Sequence, residues 1–216
     1  MNQPLDLIIL GPQGSGKGTQ AALLKERLGF VLITTGEELR RIAKTDTDIG
    51  RKVNQSINVE GRLVADASLV AEMIKNRIMS VPLMTGIILD SFPRSIEQYE
   101  LMKKFWPDTT RGGYKVIFIE LAEDEAVRRL SKRMVCERCG AIYPSGDLEK
   151  CTKCGGRLVH RVDDHPVAIK KRLELFNSLT MPMLKMMEKD VEVVHVDGSP
   201  SIEEVHQEIL KKLGLL

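Results

Sequence analysis

Short, almost continuously apolar runs recur along this 216-residue chain and alternate with stretches of helical periodicity. Apolar runs with little polar alternation are typical of strands that are covered on both faces of a parallel sheet. Five such runs are candidate strands: residues 5–10, 31–34, 86–90, 114–120 and 191–196. Their alternation with helices predicts a three-layer, doubly wound α/β fold around a central five-stranded parallel sheet.

Two of the helices can be placed together with their ends. Residues 65–79 carry an apolar stripe at helical spacing, and Asp66 is a candidate N-cap. The stripe consists of Leu69, Met73, Ile74 and Ile78. A last helix is predicted over residues 201–213, with Ser199 as its cap and Pro200 in its first turn.

Two segments interrupt the alternation of strands and helices. Residues 34–64 are polar and helical in pattern, whereas residues 135–159 contain all four cysteines and few large apolar side chains. Neither segment has the apolar content to build a core of its own. Both are therefore interpreted as small insertions mounted on one core.

The charge balance argues against several classes of function. The chain has 32 basic and 30 acidic residues, so it lacks the basic excess of a nucleic-acid-binding domain. No apolar run approaches the length of a membrane span, and no signal peptide is recognised at the amino terminus. We expect a cytoplasmic protein with no nucleic-acid or membrane partner, in which paired cysteines are more often metal ligands than disulfides.

The first candidate strand runs directly into a glycine-rich loop, "GPQGSGKGT", that is followed by a helix. Gly11, Gly14 and Gly16 allow backbone N–H groups to turn inward around phosphate oxygens at the positive end of that helix. Lys17 can reach the terminal phosphates. A plain strand–helix turn with a surface lysine is the alternative, but the flanking strand and helix favour a phosphate-binding P-loop.

The end of this loop narrows the class. Most P-loop ATPases and GTPases have a serine or threonine directly after the lysine, as a magnesium ligand. Here Gly18 takes that place and Thr19 follows it. A "GKGT" ending resembles that of the nucleoside monophosphate kinases.

Further tracts resemble adenylate kinases, in the same order and over almost the full length. They are "TTGEELR" with Thr35 and Arg40, "EGRLV" with Arg62 and Val64, "GIILDSFPR" with Asp90 and Arg94, "VRRLSKR" with Arg129 and Arg133, and "RVDDHPVAIKKR" with Arg161, Asp163, Asp164 and Arg172. Each tract is weak by itself, but the ordered set is specific. The chain is similar to the adenylate kinases with a long, metal-binding lid.

This resemblance implies an activity and a division of the chain. The activity is reversible, Mg²⁺-dependent transfer of the γ-phosphoryl group of ATP to AMP, giving two ADP. The division is a P-loop core (residues 1–33, 65–132 and 164–216), an AMP-binding insertion (34–64) and a zinc-binding lid (133–163), in a monomer. Such transfer depends on positioning and on charge stabilisation, for which arginines suit phosphate oxygens well.

The resemblance also implies roles for individual residues. ATP would be bound by Gly14, Ser15, Gly16, Lys17, Gly18, Thr19, Arg129 and Arg133. AMP would be bound by Thr35, Arg40, Arg62, Val64, Ser91, Arg94, Gln98, Arg161 and Arg172. The catalytic charges would be Lys17, Arg94, Arg129, Arg133, Arg161 and Arg172. Asp90, at the end of an apolar strand, would hold Mg²⁺ through water.

Two residues and the lid bear on which nucleoside monophosphate accepts the phosphoryl group. Thr35, Gln98 and the long lid resemble AMP-specific members, whereas pyrimidine-specific members usually carry alanine and asparagine at the first two places. Two alternatives stay open. One is a kinase of another nucleoside monophosphate, such as UMP or CMP, and the other is a non-catalytic nucleotide- or nucleic-acid-binding protein on the same scaffold.

The cysteines form two matched Cys-x-x-Cys-Gly knuckles, "CERCG" and "CTKCG". This spacing lets both thiolates of each knuckle bind one metal, and the following glycine accepts a left-handed backbone. The four candidate ligands are Cys136, Cys139, Cys151 and Cys154. Zinc is the favoured metal, with iron as the alternative. Four thiolates leave no open coordination place, so the metal is expected to stabilise the lid. A nucleic-acid-binding ribbon is disfavoured, because the charges there are mixed and Tyr143 is the one aromatic residue nearby.

Three positions depart from the family pattern. Gln13 stands where the P-loop usually has proline, Ser91 replaces the usual glycine of "DGFPR", and Met134 stands where a second arginine usually follows Arg133. We hypothesise that Ser91 narrows the AMP pocket.

Overall fold

The structure is a computed structural model and describes residues 4–54, 66–144, 148–161 and 164–216. Its strands are β1 (Asp6–Leu10), β2 (Val31–Thr34), β3 (Ile87–Asp90), β4 (Tyr114–Glu120), β5 (Met134–Cys136), β6 (Ile142–Tyr143), β7 (Leu158–His160) and β8 (Val193–Asp197). Its α-helices are α1 (Lys17–Leu28), α2 (Thr35–Ile42), α3 (Asp48–Asn54), α4 (Ala67–Met79), α5 (Ile96–Phe105), α6 (Glu123–Lys132), α7 (Pro166–Leu175), α8 (Met181–Asp190) and α9 (Ile202–Leu213).

A five-stranded parallel sheet in the order β2-β3-β1-β4-β8 forms the centre of the molecule. The prediction of this sheet from the apolar runs is confirmed. Ile9 is in register with Asp90, and Thr34 with the same residue on its other side. The loops that follow β1, β2 and β3 therefore meet at the carboxyl edge of the sheet, where ligands bind in open α/β folds.

Apolar side chains cover the two faces of the sheet in separate layers. Leu7 and Ile9 pack with Leu24 of α1 and Ile209 of α9. Ile8 and Leu10 point to the other face, which is covered by α4, α5 and α8. That second layer includes Ile74, Met102 and Met183. This alternation confirms the three-layer architecture, and it is the reason why the strands read as continuous apolar runs.

A buried ion pair joins the strands at the opposite, amino edge of the sheet. Arg111 Nε donates to Asp6 Oδ2 at 2.7 Å, and its terminal nitrogen donates to Asp6 Oδ1 at 3.1 Å. Ile87 N donates to Asp6 Oδ1 at 2.9 Å. The remaining guanidinium donors meet the carbonyls of Val81 and Thr85. The start of β1 is thereby tied to β3 and to the loop before β4.

Of the two predicted helix caps, one is confirmed and one is wrong. Asp66 accepts a hydrogen bond from Leu69 N at 3.0 Å and caps α4. Ser199 does not cap α9, because its hydroxyl donates to Asp197 Oδ1 instead. The cap is Ser201, which forms a capping box with Glu204. The Ser-x-x-Glu spacing of that box is the local signal that identifies the true start of the helix.

The chain between α7 and α8 passes through a π-helical segment, Phe176–Thr180. The wider turn at this segment brings Thr180 against the loop that follows β3, where its hydroxyl donates to the carbonyl of Arg94 at 2.9 Å. π-Helical turns often occur at functional sites.

The cysteine segment folds as a small antiparallel sheet in the order β6-β5-β7. Met134 pairs with Tyr143 on one side and with His160 on the other. Outside the three short gaps in the described chain and its first three residues, no helix has both the length and the apolar character needed to cross a membrane.

Candidate functional site

The loop after β1 has the backbone of a phosphate-binding cradle. Gly14 and Gly16 have left-handed φ values of 89° and 88°, a conformation that glycine adopts without cost. No side chain caps the first turn of α1, so its N–H groups face the loop. Ser15 Oγ is buried without a hydrogen-bond partner among the described residues. An anion placed here would meet the N–H groups of the helix N-terminus.

Lys17 lies in the middle of a group of cationic side chains. Burial lowers the pKa of Lys17 to about 8. Asp90 opposes this effect on the pKa, whereas three guanidinium groups add to it. They belong to Arg94, Arg172 and Arg133. The structure thus brings together five side chains that the sequence assigned to phosphates or to magnesium.

Asp164 organises two of these arginines. Its carboxylate accepts two hydrogen bonds from Arg133, at 2.7 and 2.6 Å, and one from Arg172 at 3.0 Å. The Asp164 side chain is only 1% exposed. One buried carboxylate therefore fixes the geometry of an arginine directly before β5 and of another on α7.

Arg94 is held by the backbone of the loop after β3 and by the side chain of Gln98 on α5. Its Nε donates to the carbonyl of Ser91 at 2.8 Å, and its backbone N–H donates to Gln98 Oε1 at 2.8 Å. Burial lowers the pKa of Arg94, Asp90 opposes this, and Arg172 and Arg40 lower it further. The charge of Arg94 is thus held in a desolvated place next to two other arginines.

Thr35 closes the same loop from the side of β2. Its hydroxyl lies 3.2 Å from the carbonyl oxygens of Asp90 and Ser91, to which it donates. Thr35 is buried, and so is Gln98 on α5. Both residues that the sequence associates with the acceptor base therefore stand beside the loop that carries Arg94.

Ser91 has a backbone conformation that is rare for a residue with a side chain. Its φ is 66°, and it is 7% exposed. The Ser91 hydroxyl donates to Asp90 Oδ1 at 2.9 Å. The other carboxylate oxygen of Asp90 faces the P-loop helix, because a Cβ placed on Gly18 would lie 3.8 Å from Oδ2.

The side chain of Arg129 has different partners from those of the other predicted arginines. It pairs with Glu125 at 2.6 Å, and its terminal nitrogens donate to the carbonyls of Gly198 and Ser199, each at 2.9 Å. These carbonyls follow β8, next to the P-loop: a Cβ on Gly198 would lie 3.0 Å from the carbonyl oxygen of Ser15. Arg129 therefore borders the cradle and is already bonded to protein groups.

The four cysteines converge beside the small sheet β6-β5-β7. Their sulfur atoms all lie within 4.8 Å of one another, and the pairs Cys136–Cys154 and Cys139–Cys151 are each 3.5 Å apart. Zinc with Zn–S bonds of about 2.3 Å would place tetrahedral sulfurs about 3.8 Å apart. The structure contains the ligand set that the cysteine spacing predicts.

The backbone around the sulfurs supports metal binding. Gly140 and Gly155 have φ values of 73° and 70°, as expected for the residue that follows each knuckle. A Cβ on Gly156 would lie 2.8 Å from the sulfur of Cys136, so only glycine fits there.

Hydrogen bonds favour the ionised form of two of the thiols. The hydroxyl of Tyr143 donates to the sulfur of Cys151 at 3.3 Å and lowers the pKa of that thiol to about 6. The backbone N–H of Cys139 lowers the pKa of Cys136. Because the thiolate is the metal-binding form, the lowered pKa values of Cys136 and Cys151 favour metal binding, whereas the neighbouring sulfurs raise the pKa of Cys154 to about 12.

Comparison with known proteins decides the family. The sequence model of the family described as adenylate kinase matches residues 9–192. The chain is 37% identical to an adenylate kinase of Caldicellulosiruptor saccharolyticus, over 97% of this chain and 99% of that protein. It is also 37% identical to adenylate kinases of Syntrophotalea carbinolica (97% and 99%) and Methanocella arvoryzae (95% and 96%). The chain belongs to the adenylate kinase family.

Membership of the adenylate kinase family makes the chain a nucleotide-binding phosphotransfer enzyme. The resemblance seen in the "GKGT" ending and in the ordered arginines is thereby confirmed. The cysteine cluster agrees with a member of the family whose lid binds zinc.

Within this adenylate kinase, the predicted site residues differ in how directly they meet. Lys17, Asp90, Arg94, Arg133 and Arg172 share one cluster, and Arg40 lies near Arg94. Arg161 directly follows β7, and its carbonyl accepts from Asp164 N at 3.0 Å. Arg62 and Val64 lie outside the described residues.

Two positioning residues were absent from the predicted site. Asp164 holds two arginines, and Thr180 holds the carbonyl of Arg94. Asp164 had a local signal, because it stands in the "RVDDHPVAIKKR" tract. Thr180 had none, because its position depends on the π-helical segment.

Proposed function

We propose that this enzyme transfers the γ-phosphoryl group of ATP to AMP, reversibly and with Mg²⁺, giving two ADP. The observation that carries this proposal is the cluster of Lys17, Arg94, Arg133 and Arg172 beside the P-loop. Two nucleotides must be brought together against the repulsion of their phosphates. A desolvated group of fixed cations lowers that repulsion and stabilises the charge on the migrating phosphoryl group.

The P-loop supplies the donor side of the proposed site. The backbone and side chains of residues 14–19 would surround the ATP phosphates, with Lys17 as the nearest charge. Arg129 and Arg133 would complete that side. Bound Mg²⁺ would neutralise phosphate charge and fix phosphate geometry, and Asp90 is the carboxylate that would hold it through water. The direction of Asp90 Oδ2 toward Gly18 fits this role.

The loop after β3 and the segment after β2 supply the acceptor side. Arg40 and Arg94 would hold the AMP phosphate, while Arg161 and Arg172 would lie between the two nucleotides. Gln98 would read the adenine edge, since its Oε1 accepts from Arg94 N and its amide group is fixed in place. Thr35, Arg62, Val64 and Ser91 are proposed to line the rest of the AMP site.

Three parts of the chain would share this work. The core (1–33, 65–132 and 164–216) carries the P-loop, the insertion (34–64) covers AMP, and the lid (133–163) closes over ATP. Closure would exclude water, so that ATP is not lost to hydrolysis. A structural zinc ion on the four cysteines would keep the lid rigid, because so small a segment has little apolar core.

The proposal includes a monomer in the cytoplasm that binds nucleotides and not nucleic acid. The near balance of 32 basic and 30 acidic residues supports the last point.

The test is product formation from ATP and Mg²⁺ with AMP, GMP, UMP or CMP supplied separately. We expect ADP to form rapidly only with AMP, and we expect Lys17→Met to slow transfer roughly 100- to 1000-fold with an unchanged circular dichroism spectrum. Faster turnover of UMP or CMP would move the enzyme to a pyrimidine acceptor. Absence of transfer to every acceptor, from folded and zinc-loaded protein, would overturn the proposal.

A further inference from the structure

Ser91, at the carboxyl edge of the sheet, is a buried residue with an unusual backbone conformation. It has a left-handed φ of 66°, which side chains rarely adopt and which glycine adopts freely. The residue is buried, so the hydroxyl is not there for contact with solvent. A strained conformation of this kind persists where surrounding contacts determine it, and such sites are often functional.

The contacts of Ser91 reach three predicted site residues. Its carbonyl accepts from Arg94 Nε at 2.8 Å and from the Thr35 hydroxyl at 3.2 Å. These bonds involve the backbone, so glycine at this position would keep them. The contact that needs a serine is the hydrogen bond from Oγ to Asp90 Oδ1, at 2.9 Å.

This hydrogen bond divides the two oxygens of Asp90 between two directions. Oδ1 accepts from Ser91, and Oδ2 faces the start of α1 at Gly18. Gly18 has no side chain. The side-chain atom that lies nearest to the position of a Cβ on Gly18 is Asp90 Oδ2, at 3.8 Å. A carboxylate with one oxygen bonded loses much of its freedom to rotate, and it keeps the other oxygen aimed at the cradle.

We propose that Ser91 is a positioning residue that orients Asp90 for the Mg²⁺ that accompanies ATP. This inference rests on the proposed function, in which Asp90 holds Mg²⁺ through water. The hydroxyl would act through its hydrogen bond to Asp90. Besides the place in the AMP site proposed above, Ser91 would thereby affect the donor side of the nucleotide site.

The experiment measures binding of the β,γ-imido analogue of ATP by calorimetry, with and without Mg²⁺ and without AMP. The quantity compared is the gain in affinity that Mg²⁺ produces. In Ser91→Ala and Ser91→Gly we expect this gain to fall roughly threefold to tenfold, the typical net effect of one hydrogen bond. Affinity for the analogue without Mg²⁺ is measured in each variant as the reference from which this gain is counted.

The two variants distinguish the effect of the hydroxyl from the effect of the backbone conformation. Ser91→Ala keeps the Cβ and its strain at positive φ, whereas Ser91→Gly removes both. A loss of the same size in the two variants assigns the effect to the hydroxyl, while Ser91→Gly should melt at a higher temperature than Ser91→Ala. Asp90→Asn is the matched reference, and it should lose most of the Mg²⁺-dependent gain.

Other results would overturn the inference. An Mg²⁺-dependent gain equal to that of the wild type in both variants would show that the hydroxyl does not position Asp90. A lower KM for AMP in Ser91→Gly, with the gain unchanged, would support the hypothesis of a narrowed AMP pocket. Retention of the full gain in Asp90→Asn would remove the role of Asp90 and the inference with it. The binding measurement needs no acceptor, so its outcome is distinct from failure of the transfer assay.

Discussion

Two buried aspartates at opposite edges of the central sheet bind arginine in different ways. At the amino edge, Asp6 pairs with Arg111, and both side chains are at most 2% exposed. The other donors of Arg111 meet backbone carbonyls. At the carboxyl edge, Asp164 is shared by Arg133 and Arg172.

The difference lies in the charge that each edge leaves uncompensated. The amino edge pairs one carboxylate with one guanidinium group, which is how a buried ion pair is made tolerable. At the carboxyl edge, Asp90 and Asp164 stand against Lys17, Arg94, Arg133 and Arg172. An excess of buried positive charge costs stability unless an anion enters. The first edge holds the fold, whereas the second carries the charges that we propose bind phosphate.

Removal of the zinc ion that we propose for the four cysteines is expected to give the largest effect and to separate the two edges. Structural zinc contributes about 10–16 kcal/mol in small zinc-binding peptides. Without it, the segment between Arg133 and Arg161 should lose its fold, so transfer should fall to background. The core should still melt cooperatively, because Asp6–Arg111 does not depend on the lid.

Hydrogen exchange of the lid and core amides, before and after metal removal with a mercurial reagent and a chelator, checks this prediction. Cys139→Ser provides a variant with three of the four thiolates. Full activity of metal-free protein would contradict a structural role for the metal.

Arg111→Met tests the amino edge. The substitution leaves the Asp6 carboxylate buried without its partner, which should lower the free energy of unfolding by about 3–5 kcal/mol. The kinetic constants of the folded enzyme should not change. Urea denaturation gives the first quantity, and ADP formation at a low temperature gives the second.

The double variant Asp6→Asn/Arg111→Met is the control for an uncompensated charge. It should recover part of the lost stability, because the asparagine oxygen can still accept from Ile87 N. If Arg111→Met changed the KM values as strongly as it changed stability, the two edges would be coupled and the comparison would fail.

Much of the fold could be predicted from sequence because its signals are local. The apolar runs predicted all five strands of the central sheet, and the knuckle spacing predicted the cysteine cluster with its two left-handed glycines. The cap of α4 was predicted correctly at Asp66. The cap of α9 was predicted wrongly at Ser199, because the capping box of Ser201 and Glu204 was not recognised.

The remaining features depend on contacts between distant parts of the chain. Asp6 and Arg111 are 105 residues apart, and no spacing rule connects them. The side-chain direction of Arg129 depends on the carbonyls after β8, which approach it only in the folded chain. The sharing of Asp164 likewise required the fold to bring the lid and α7 together.

Lys17→Met tests the carboxyl edge. Loss of one preorganised charge at a developing anion should lower kcat by roughly 100- to 1000-fold. Stability should not fall, since the variant removes a cation that is buried among other cations. Transfer assays and urea denaturation on the same preparation measure both effects. A destabilisation as large as that of Arg111→Met would show that this edge also holds the fold.

The smallest expected effect is a pH dependence that runs in opposite directions for stability and for activity. Burial lowers the pKa of Lys17 to about 8, from an ordinary value of 10.5. Below pH 8 the side chain is protonated in both the folded and the unfolded chain, and the full cost of burying the charge is present. Between pH 8 and 10.5 the folded chain has lost this proton while the unfolded chain still binds it. Unfolding therefore takes up a proton, and the free energy of unfolding rises as pH rises. The nucleotide-free enzyme should gain roughly 1–3 kcal/mol of stability from Lys17 across this window.

Activity should move the other way, because the folded enzyme loses the charge that would meet the phosphates. We expect kcat/KM for ATP to fall as pH rises above about 8, the pKa of Lys17. Urea denaturation of the wild type and of Lys17→Met from pH 7 to 10.5 isolates the contribution of Lys17, because other titrations cancel in the difference. A difference that does not vary with pH, or a constant kcat/KM, would mean that Lys17 keeps its ordinary pKa. The carboxyl edge would then hold less uncompensated charge than its geometry indicates.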